Sequence, residues 1–101
     1  MKKIELSGCG TALITPFKDG KVDYDTYVGL LKRQVAAGIH FLVPLGTTGE
    51  TPCLDMQERL RILELTKENC GGKPIVVGGG TNSLTQTLDG IGQLDKYGPD
   101  A

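Results

Sequence analysis

Three short apolar runs alternate with longer amphipathic segments along the chain. The runs are Thr11–Thr15, Ile39–Leu45 and Pro74–Gly78. Continuous apolar runs of this length are typical of strands that are buried on both faces of a parallel sheet. They recur at an interval of about thirty residues, which is the size of a βα unit. The pattern therefore predicts three successive βα units, with parallel strands in the order 1-2-3 and right-handed crossovers.

The amphipathic segments carry helix signals at both ends. We predict helices from about Tyr24 to Ala37, from about Met56 to Asn69 and from about Leu84 to Lys96. Their predicted caps are Asp23, the capping-box pairs Asp55 with Glu58 and Ser83 with Gln86, and the glycines Gly38, Gly71 and Gly98 that follow the helices. Their predicted inward stripes are Tyr27, Leu30, Leu31 and Val35 in the first helix, and Met56, Leu60, Leu63 and Thr66 in the second.

These units predict one incomplete domain. Three βα units bury little surface on their own, because a parallel sheet needs both faces and both edges covered. A complete (β/α)8 barrel takes about 250 residues, so residues 1–101 are interpreted as the N-terminal part of a single α/β barrel domain, ending before strand 4. The residues 97–101 then form the turn that leads into that strand. The rival interpretation is a small doubly wound sheet, which also normally has more strands.

Composition excludes several classes of function. Hydrophobic residues make up 39% of the chain and charged residues 23%, and the formal net charge is −1. This balance gives no reason to expect nucleic acid or a membrane as partner, and the lysines, including the adjacent Lys2 and Lys3, are expected to be solvated. Cys9, Cys53 and Cys70 form no Cys-x-x-Cys pair, which favours free thiols in a reducing cytoplasm over disulfides or zinc. With a single histidine in the chain, no metal site is expected.

The segment Gly46-Thr47-Thr48-Gly49-Glu50 follows the second run directly. The glycines let the backbone approach a ligand closely. The two threonines supply hydroxyl donors and acceptors on short, stiff side chains. Because the chemistry of a barrel sits at the carboxyl ends of its strands, this pair predicts a site for a small anion and for proton transfer. The alternative is a tight turn whose hydroxyls only cap the following segment.

Four segments together resemble one family of enzymes. They are Ala12-Leu13-Ile14-Thr15-Pro16-Phe17, Asp19-Gly20-Lys21-Val22-Asp23, Gly46-Thr47-Thr48-Gly49-Glu50 with the later Glu58-Arg59, and Gly78-Gly79-Gly80-Thr81-Asn82. In order and spacing they resemble the opening of the pyruvate-dependent Schiff-base lyases, the family of dihydrodipicolinate synthase and N-acetylneuraminate lyase. The resemblance covers essentially the whole chain.

The resemblance implies an activity for the complete protein. It implies the condensation of pyruvate with aspartate semialdehyde, on the way to lysine and diaminopimelate, in a cytoplasmic homodimer or homotetramer. It implies that Thr48 holds the pyruvate carboxylate, that Thr47 relays protons between two tyrosines, and that Ala12 forms part of the pocket wall. No cofactor is implied, because pyruvate itself forms a covalent imine with a lysine of strand six. That lysine and the catalytic tyrosine are expected outside these residues, so the chain alone is expected to be inactive.

Two threonines in the pentapeptide favour the synthase, since neuraminate lyases typically have a serine first. N-acetylneuraminate lyase, or another 2-keto-acid aldolase, stays open as an alternative, as does a truncated non-catalytic product. Lys73 is the one lysine beside a strand, but it precedes Pro74 at the strand's N-terminal end. That end of a barrel contributes to stability rather than to catalysis, so Lys73 is not expected to be the nucleophile.

Other polar residues are given structural interpretations. The glycine-rich segment Gly78–Asn82 lacks the spacing of a nucleotide loop, so it is expected to be a strand-to-helix loop lining the pocket. Glu50 is expected to anchor its loop, His40 to be a hydrogen-bonded structural histidine, and Cys53 a packed thiol. Asn82 matches the family's allosteric asparagine, but the residues around it depart from the pattern of lysine-inhibited members.

Overall fold

The computed structural model describes residues 4–101, so Lys2 and Lys3 lie outside the described part of the chain. Strands and helices alternate along it. In chain order the elements are β1 (Gly10–Ala12), β2 (Phe17–Lys18), β3 (Lys21–Val22), α1 (Tyr24–Ala36), β4 (Phe41–Val43), α2 (Met56–Asn69) and α3 (Leu84–Asp95). Two short 3-10 turns, Thr47–Gly49 and Thr51–Cys53, connect β4 to α2.

The three predicted apolar runs are parallel neighbours, as expected. β1 pairs in parallel with β4, with Thr11 opposite Leu42. On the other edge of β4, Leu42 forms a parallel bridge with Ile75. The Leu42 N–H donates to Pro74 O at 3.0 Å, and the Val76 N–H donates to Leu42 O at 2.9 Å. This confirms the predicted strand order 1-2-3.

The paired segments are shorter than the predicted strands Thr11–Thr15, Ile39–Leu45 and Pro74–Gly78, whose bounds were therefore wrong. β4 ends at Val43 because Leu45 takes a left-handed conformation, with φ of 61°, which is incompatible with a strand. The third run pairs through a single bridge, although the Gly78 N–H still donates to Pro44 O at 3.0 Å. Apolar composition predicts burial better than it predicts the length of a strand.

The residues at 100 and 101 lie along the free edge of the third run. The Ala101 N–H donates to Ile75 O at 3.1 Å, and the Val77 N–H donates to Ala101 O at 2.9 Å. In a parallel ladder, one residue bonds through its N–H and its C=O to two residues of the neighbouring strand, as Ala101 does here to Ile75 and Val77. Ala101, predicted as part of the turn before a fourth strand, is thus already bonded to the third run in the way that a strand residue would be.

The three helices lie where the sequence predicts them, to within one residue at their ends. Asp23 caps α1 by accepting a hydrogen bond from the Thr26 N–H, and bonds from the Thr26 hydroxyl and N–H hold the pKa of Asp23 below its usual value. Both halves of the Asp55–Glu58 capping box are present at α2. The Ser83 side chain accepts from the Gln86 N–H, which fixes the start of α3.

The core lies between the sheet and helices α1 and α2. Tyr27 and Leu31 of α1 are buried as predicted, whereas Leu30 and Val35 are only half-buried. In α2 the predicted stripe was too narrow, because Ile62 and Leu65 are buried as well. Both helices meet Leu42 and Ile75 of the sheet in one cluster; its fully buried members are Leu31, Leu42, Ile62, Leu63 and Ile75.

A buried hydrogen bond joins the two helices. The Tyr27 hydroxyl lies 2.6 Å from Thr66 Oγ1. Thr66 Oγ1 donates in turn to Ile62 O, at 2.7 Å, so the Tyr27 hydroxyl is the donor to Thr66. Burial raises the pKa of Tyr27 to about 12. Tyr27 therefore joins helices α1 and α2 through a hydrogen bond and does not act as an acid or base in the site.

The opposite face of the sheet is open. Ile14, which follows β1, is 52% exposed. Leu42 instead points into the helix-covered core and is 0% exposed. Val43, its neighbour in the strand, is half-buried and lies on the other face.

A hairpin follows β1 that the sequence analysis did not predict. β2 and β3 pair antiparallel, with Phe17 opposite Val22. The connecting residues Asp19 and Gly20 have φ of 53° and 77°, which is the left-handed pair of a type I′ turn. An Asp-Gly pair is a recognised signal for this turn, so the information was in the sequence.

Across the described residues, no helix has the length and apolarity needed to cross a membrane.

Candidate active site

We call Gly46–Glu50 the threonine turn. It follows β4 at the carboxyl end of the sheet, and Thr47 and Thr48 are both exposed. Within the turn, the Gly49 N–H donates to Gly46 O and the Glu50 N–H to Thr47 O, each at 3.0 Å. Within residues 4–101 neither threonine hydroxyl takes part in a hydrogen bond. The backbone of the turn is thus held, while both hydroxyls stay free to contact a ligand.

The threonine turn is bounded by two residues in the left-handed conformation. Leu45 before it has φ of 61°, and Glu50 at its end has φ of 55°. Such a conformation costs a non-glycine residue on the order of 1–3 kcal/mol. The Leu45 side chain is 2% exposed and packs in the core cluster, which holds the backbone in place. Backbone strain retained beside an exposed polar pair is typical of functional sites.

The turn packs against the residues that follow β1. A side-chain Cβ at Gly49 would lie 3.2 Å from Leu13 O and 3.3 Å from Thr15 Oγ1, so a larger residue there would require these neighbours to shift by a few tenths of an ångström. Ala12, the predicted pocket wall, is the last residue of β1, is exposed, and lies opposite Val43 in the sheet. It is therefore on the same end of the sheet as the threonine turn.

The loop that follows the third run lies at the same end of the sheet as the threonine turn. A Cβ at Gly78 would overlap the Leu45 carbonyl and lie 2.9 Å from Gly46 N. Because these strands are parallel, the segment Gly78–Asn82 leaves the sheet at the end from which the threonine turn leaves it. Thr47 and Gly79 thus lie at the same end of the sheet, as expected if the loop Gly78–Asn82 lines the same pocket.

Two residues whose roles were not predicted from the sequence hold the loop beyond the turn. The Thr51 hydroxyl, on a residue only 7% exposed, donates to Gly46 O at 2.9 Å. The Arg59 guanidinium donates through Nε to Leu54 O at 3.1 Å and through Nη2 to Thr51 O at 3.0 Å. Arg59 belongs to the Glu58-Arg59 part of the family resemblance, but side-chain bonds to backbone carbonyls leave no pattern in a sequence, so the motif does not reveal this role.

The residues given structural interpretations behave differently from one another. His40 Nδ1 accepts from the Cys9 N–H at 2.8 Å, which confirms a hydrogen-bonded structural histidine. Glu50 anchors the loop through its backbone, since its N–H and C=O bond to Thr47 and Cys53 while its side chain is exposed. Cys53 was expected to be packed, and this was wrong, because the residue is exposed.

No described lysine has the desolvated position at a strand end that imine chemistry requires. Lys73 is half-buried and precedes Pro74, at the end of the sheet opposite the threonine turn. Lys67 is exposed and donates to Gly98 O at 2.7 Å. The remaining described lysines are exposed: Lys18, Lys21, Lys32 and Lys96. Nor do three or more His, Cys, Asp or Glu side chains within residues 4–101 come together as a metal site would need.

Comparison with known proteins places the chain in one family. The model of the dihydrodipicolinate synthetase family matches residues 5–101. A 4-hydroxy-tetrahydrodipicolinate synthase from Thermotoga neapolitana is 45% identical over 94 residues, which cover 92% of this chain and 32% of the relative. This chain therefore spans about a third of the length of such relatives.

Solved structures agree with the sequence relatives. The crystal structure of dihydrodipicolinate synthase from Thermotoga maritima superposes with a TM-score of 0.87 at 42% identity, covering 91% of this chain and 32% of that one. A 2-keto 3-deoxygluconate aldolase from Picrophilus torridus gives a TM-score of 0.85 at 28% identity, covering 96% and 35%. This chain belongs to the dihydrodipicolinate synthetase family and has the fold of the first three βα units of its (β/α)8 barrel.

Proposed function

We propose that the full-length protein containing this chain is a 4-hydroxy-tetrahydrodipicolinate synthase, which condenses pyruvate with aspartate semialdehyde. The observation that carries the proposal is the exposed pair Thr47 and Thr48 at the carboxyl end of the sheet, with neither hydroxyl bonded to the described chain. The membership of the family and the names of its relatives support the same activity.

Thr48 is proposed to bind the carboxylate of pyruvate. A carboxylate accepts several hydrogen bonds at once, and the Thr48 hydroxyl is free to donate one of them. The guanidinium of Arg59 does not compete for this role, because it is bonded to Leu54 O and Thr51 O. A neutral hydroxyl holds the carboxylate without a salt bridge, which suits a substrate that has to enter and leave repeatedly.

Thr47 is proposed to relay protons during formation and breakdown of the imine. A hydroxyl both donates and accepts, so it can pass a proton between two neighbouring groups without changing its own charge. The described tyrosines do not serve as those neighbours: Tyr27 is tied to Thr66 in the core, and Tyr24 and Tyr97 lie on helix α1 and after helix α3. The relay tyrosines are therefore proposed outside this chain.

The covalent step is proposed to use a lysine beyond residue 101. Its amine adds to the pyruvate carbonyl and expels water, which forms the imine. Loss of a proton from the pyruvate methyl group then gives the enamine carbon that attacks the aldehyde. The positions of the described lysines support this assignment. No cofactor is required in this scheme, since the imine itself is the electron sink.

A 2-keto-acid aldolase is the second candidate, and the likeness to the Picrophilus torridus aldolase favours it. Both reactions use the same pyruvate half of the site and differ in the aldehyde. Steady-state assays of the full-length protein with pyruvate and either aspartate semialdehyde or sugar-derived aldehydes separate them. We expect kcat/KM to be highest with aspartate semialdehyde; a preference for a sugar-derived aldehyde would replace the first proposal by the second.

We further propose a cytoplasmic homodimer or homotetramer. Free thiols at Cys9, Cys53 and Cys70 support a reducing compartment. Sedimentation equilibrium of the full-length protein tests the assembly, and a monomer at micromolar concentration would contradict it.

A further inference from the structure

We propose that Thr51 and Arg59 are positioning residues for the reaction: together they form a clamp that holds the threonine turn in the conformation that presents its two hydroxyls to pyruvate. The inference rests on the proposed function of that turn. Neither residue touches the substrate in this proposal. Each affects catalysis by holding the threonine turn in place.

The first element of the clamp closes the turn on itself. The Thr51 hydroxyl donates to Gly46 O at 2.9 Å, so the residue after the turn is bonded to the residue that begins it. The bond is largely shielded from water, because Thr51 is 7% exposed. A hydrogen bond that water cannot replace is costly to lose. Thr51 thereby fixes the distance between the two ends of the turn.

The second element fixes Thr51 itself. Arg59 donates from Nη2 to Thr51 O and from Nε to Leu54 O, so its planar fork spans the 3-10 turn Thr51–Cys53. Bonds from a charged donor are stronger than bonds between neutral groups. The two contacts hold both ends of this 3-10 turn against the beginning of α2.

The place of Arg59 in its helix supports a role beyond helix stability. Arg59 is the fourth residue of α2, which begins at Met56. The N-terminal end of a helix carries a partial positive charge, so a cation there is unfavourable for the helix. Neither Asp55 nor Glu58 compensates it by an ion pair, since both carboxylates are engaged in the capping box. What Arg59 contributes at this position is the pair of bonds to the loop.

The clamp is needed because the turn is strained and its own side chains do not hold it. Leu45 and Glu50 both take left-handed conformations at its ends, and such conformations persist only where surrounding contacts impose them. Core packing imposes the conformation of Leu45. The Glu50 side chain is exposed, so that end is restrained by the backbone bonds of Glu50 to Thr47 and Cys53, together with the bonds of Thr51 and Arg59 to the neighbouring residues.

The test measures kinetics of the full-length enzyme. Thr51→Val keeps the shape of the side chain and removes the bond, and we expect kcat/KM for pyruvate to fall by roughly tenfold to a hundredfold, as for a displacement of about 1 Å. Thr51→Ser restores the hydroxyl and should recover activity to within about threefold. Arg59→Met should resemble Thr51→Val, whereas the matched surface variants Arg61→Met and Thr85→Val should leave kcat/KM unchanged.

A purely structural role would give a different result. If the clamp acts through Thr48, the double variant Thr48→Val/Thr51→Val should raise the pyruvate KM no further than Thr48→Val alone, because coupled residues are not additive. Additive effects, or a Thr51→Val variant with a lower Tm but wild-type KM and kcat, would overturn the proposal. Thr51→Ser keeps the comparison valid if the valine variant fails to fold.

Hydrogen exchange separates failure of the clamp from failure of the proposed function. Amide exchange at Gly49 and Glu50 should quicken by about tenfold or more in Thr51→Val, but not in Thr85→Val. Unchanged exchange refutes the clamp even if the enzyme uses pyruvate. Quickened exchange in an enzyme that does not use pyruvate supports the clamp and refutes the proposed substrate.

Discussion

Replacing Gly78 by alanine tests how closely the third run approaches the entrance of the threonine turn. The Gly78 N–H donates to Pro44 O, and an added Cβ would overlap the Leu45 carbonyl and lie 2.9 Å from Gly46 N. Both obstacles are backbone atoms, so no side chain can rotate to make room. The φ of Gly78 is outside the left-handed region, so the substitution acts by steric overlap alone.

The size of the effect follows from the displacement that the overlap demands. Carbon atoms in contact normally lie about 3.5–4.0 Å apart, so the two backbones must separate by about 1 Å or more. Overpacking of this kind costs about 1–3 kcal/mol of the free energy of unfolding. Because Leu45 and Gly46 lead directly into the threonine turn, the same shift should lower kcat/KM by about a hundredfold.

Thermal unfolding and steady-state kinetics of the full-length enzyme measure the two effects. Gly80→Ala is the matched control, because a Cβ at Gly80 meets nothing within 4 Å and its φ is likewise not left-handed. We expect this control to keep the wild-type Tm and kcat/KM. A Gly78→Ala enzyme that also keeps the wild-type Tm and kcat/KM would refute the close approach of Gly78 to the Leu45 carbonyl.

Further predictions concern the two threonines and the helices. In the full-length enzyme, Thr47→Val should lower kcat by a factor of about 10²–10³ as proton transfer is lost, and Thr48→Val should mainly raise the pyruvate KM; wild-type kinetics in both would make the turn purely structural. The folded pKa of Tyr27 is raised from 10.0 to about 12, so its stabilising contribution is full below pH 10 and is lost as the pH rises toward 12. Urea unfolding should show this fall, by up to about 1.4 kcal/mol per pH unit, in the wild type relative to Tyr27→Phe, and parallel curves would contradict it. Asp55→Ala should cost about 1 kcal/mol by removing the cap of α2, and Asp55→Asn should recover most of it in the same assay.

The helices were predictable because their signals are local. The cap residues Asp23, Asp55 and Ser83 lie where the sequence places them, since a side chain that bonds to an amide three residues on does not depend on distant contacts. The positions of the strands were predictable for a similar reason, because runs of apolar residues indicate burial. Their lengths were not, because a residue such as Leu45 adopts its left-handed conformation through packing with the rest of the core.

The site was predictable only in part. Thr47 and Thr48 stood out because a polar pair follows a buried strand, and the structure places them at the expected end of the sheet. The roles of Thr51 and Arg59 could not be predicted, although Arg59 belongs to the family motif, because their partners are backbone carbonyls, which every residue possesses. The hairpin at Asp19 was within reach of the sequence, because the pair Asp19-Gly20 is a recognised signal for its turn.

This chain is proposed to supply the pyruvate-binding turn, with the imine-forming lysine beyond it. Borohydride reduction of the full-length enzyme with pyruvate, followed by digestion and mass spectrometry, locates that lysine. We expect one stoichiometric, pyruvate-dependent adduct on a lysine numbered above 101, and no adduct when residues 1–101 are treated alone. A stoichiometric adduct on Lys73, or on any other lysine of this chain, would contradict this proposal.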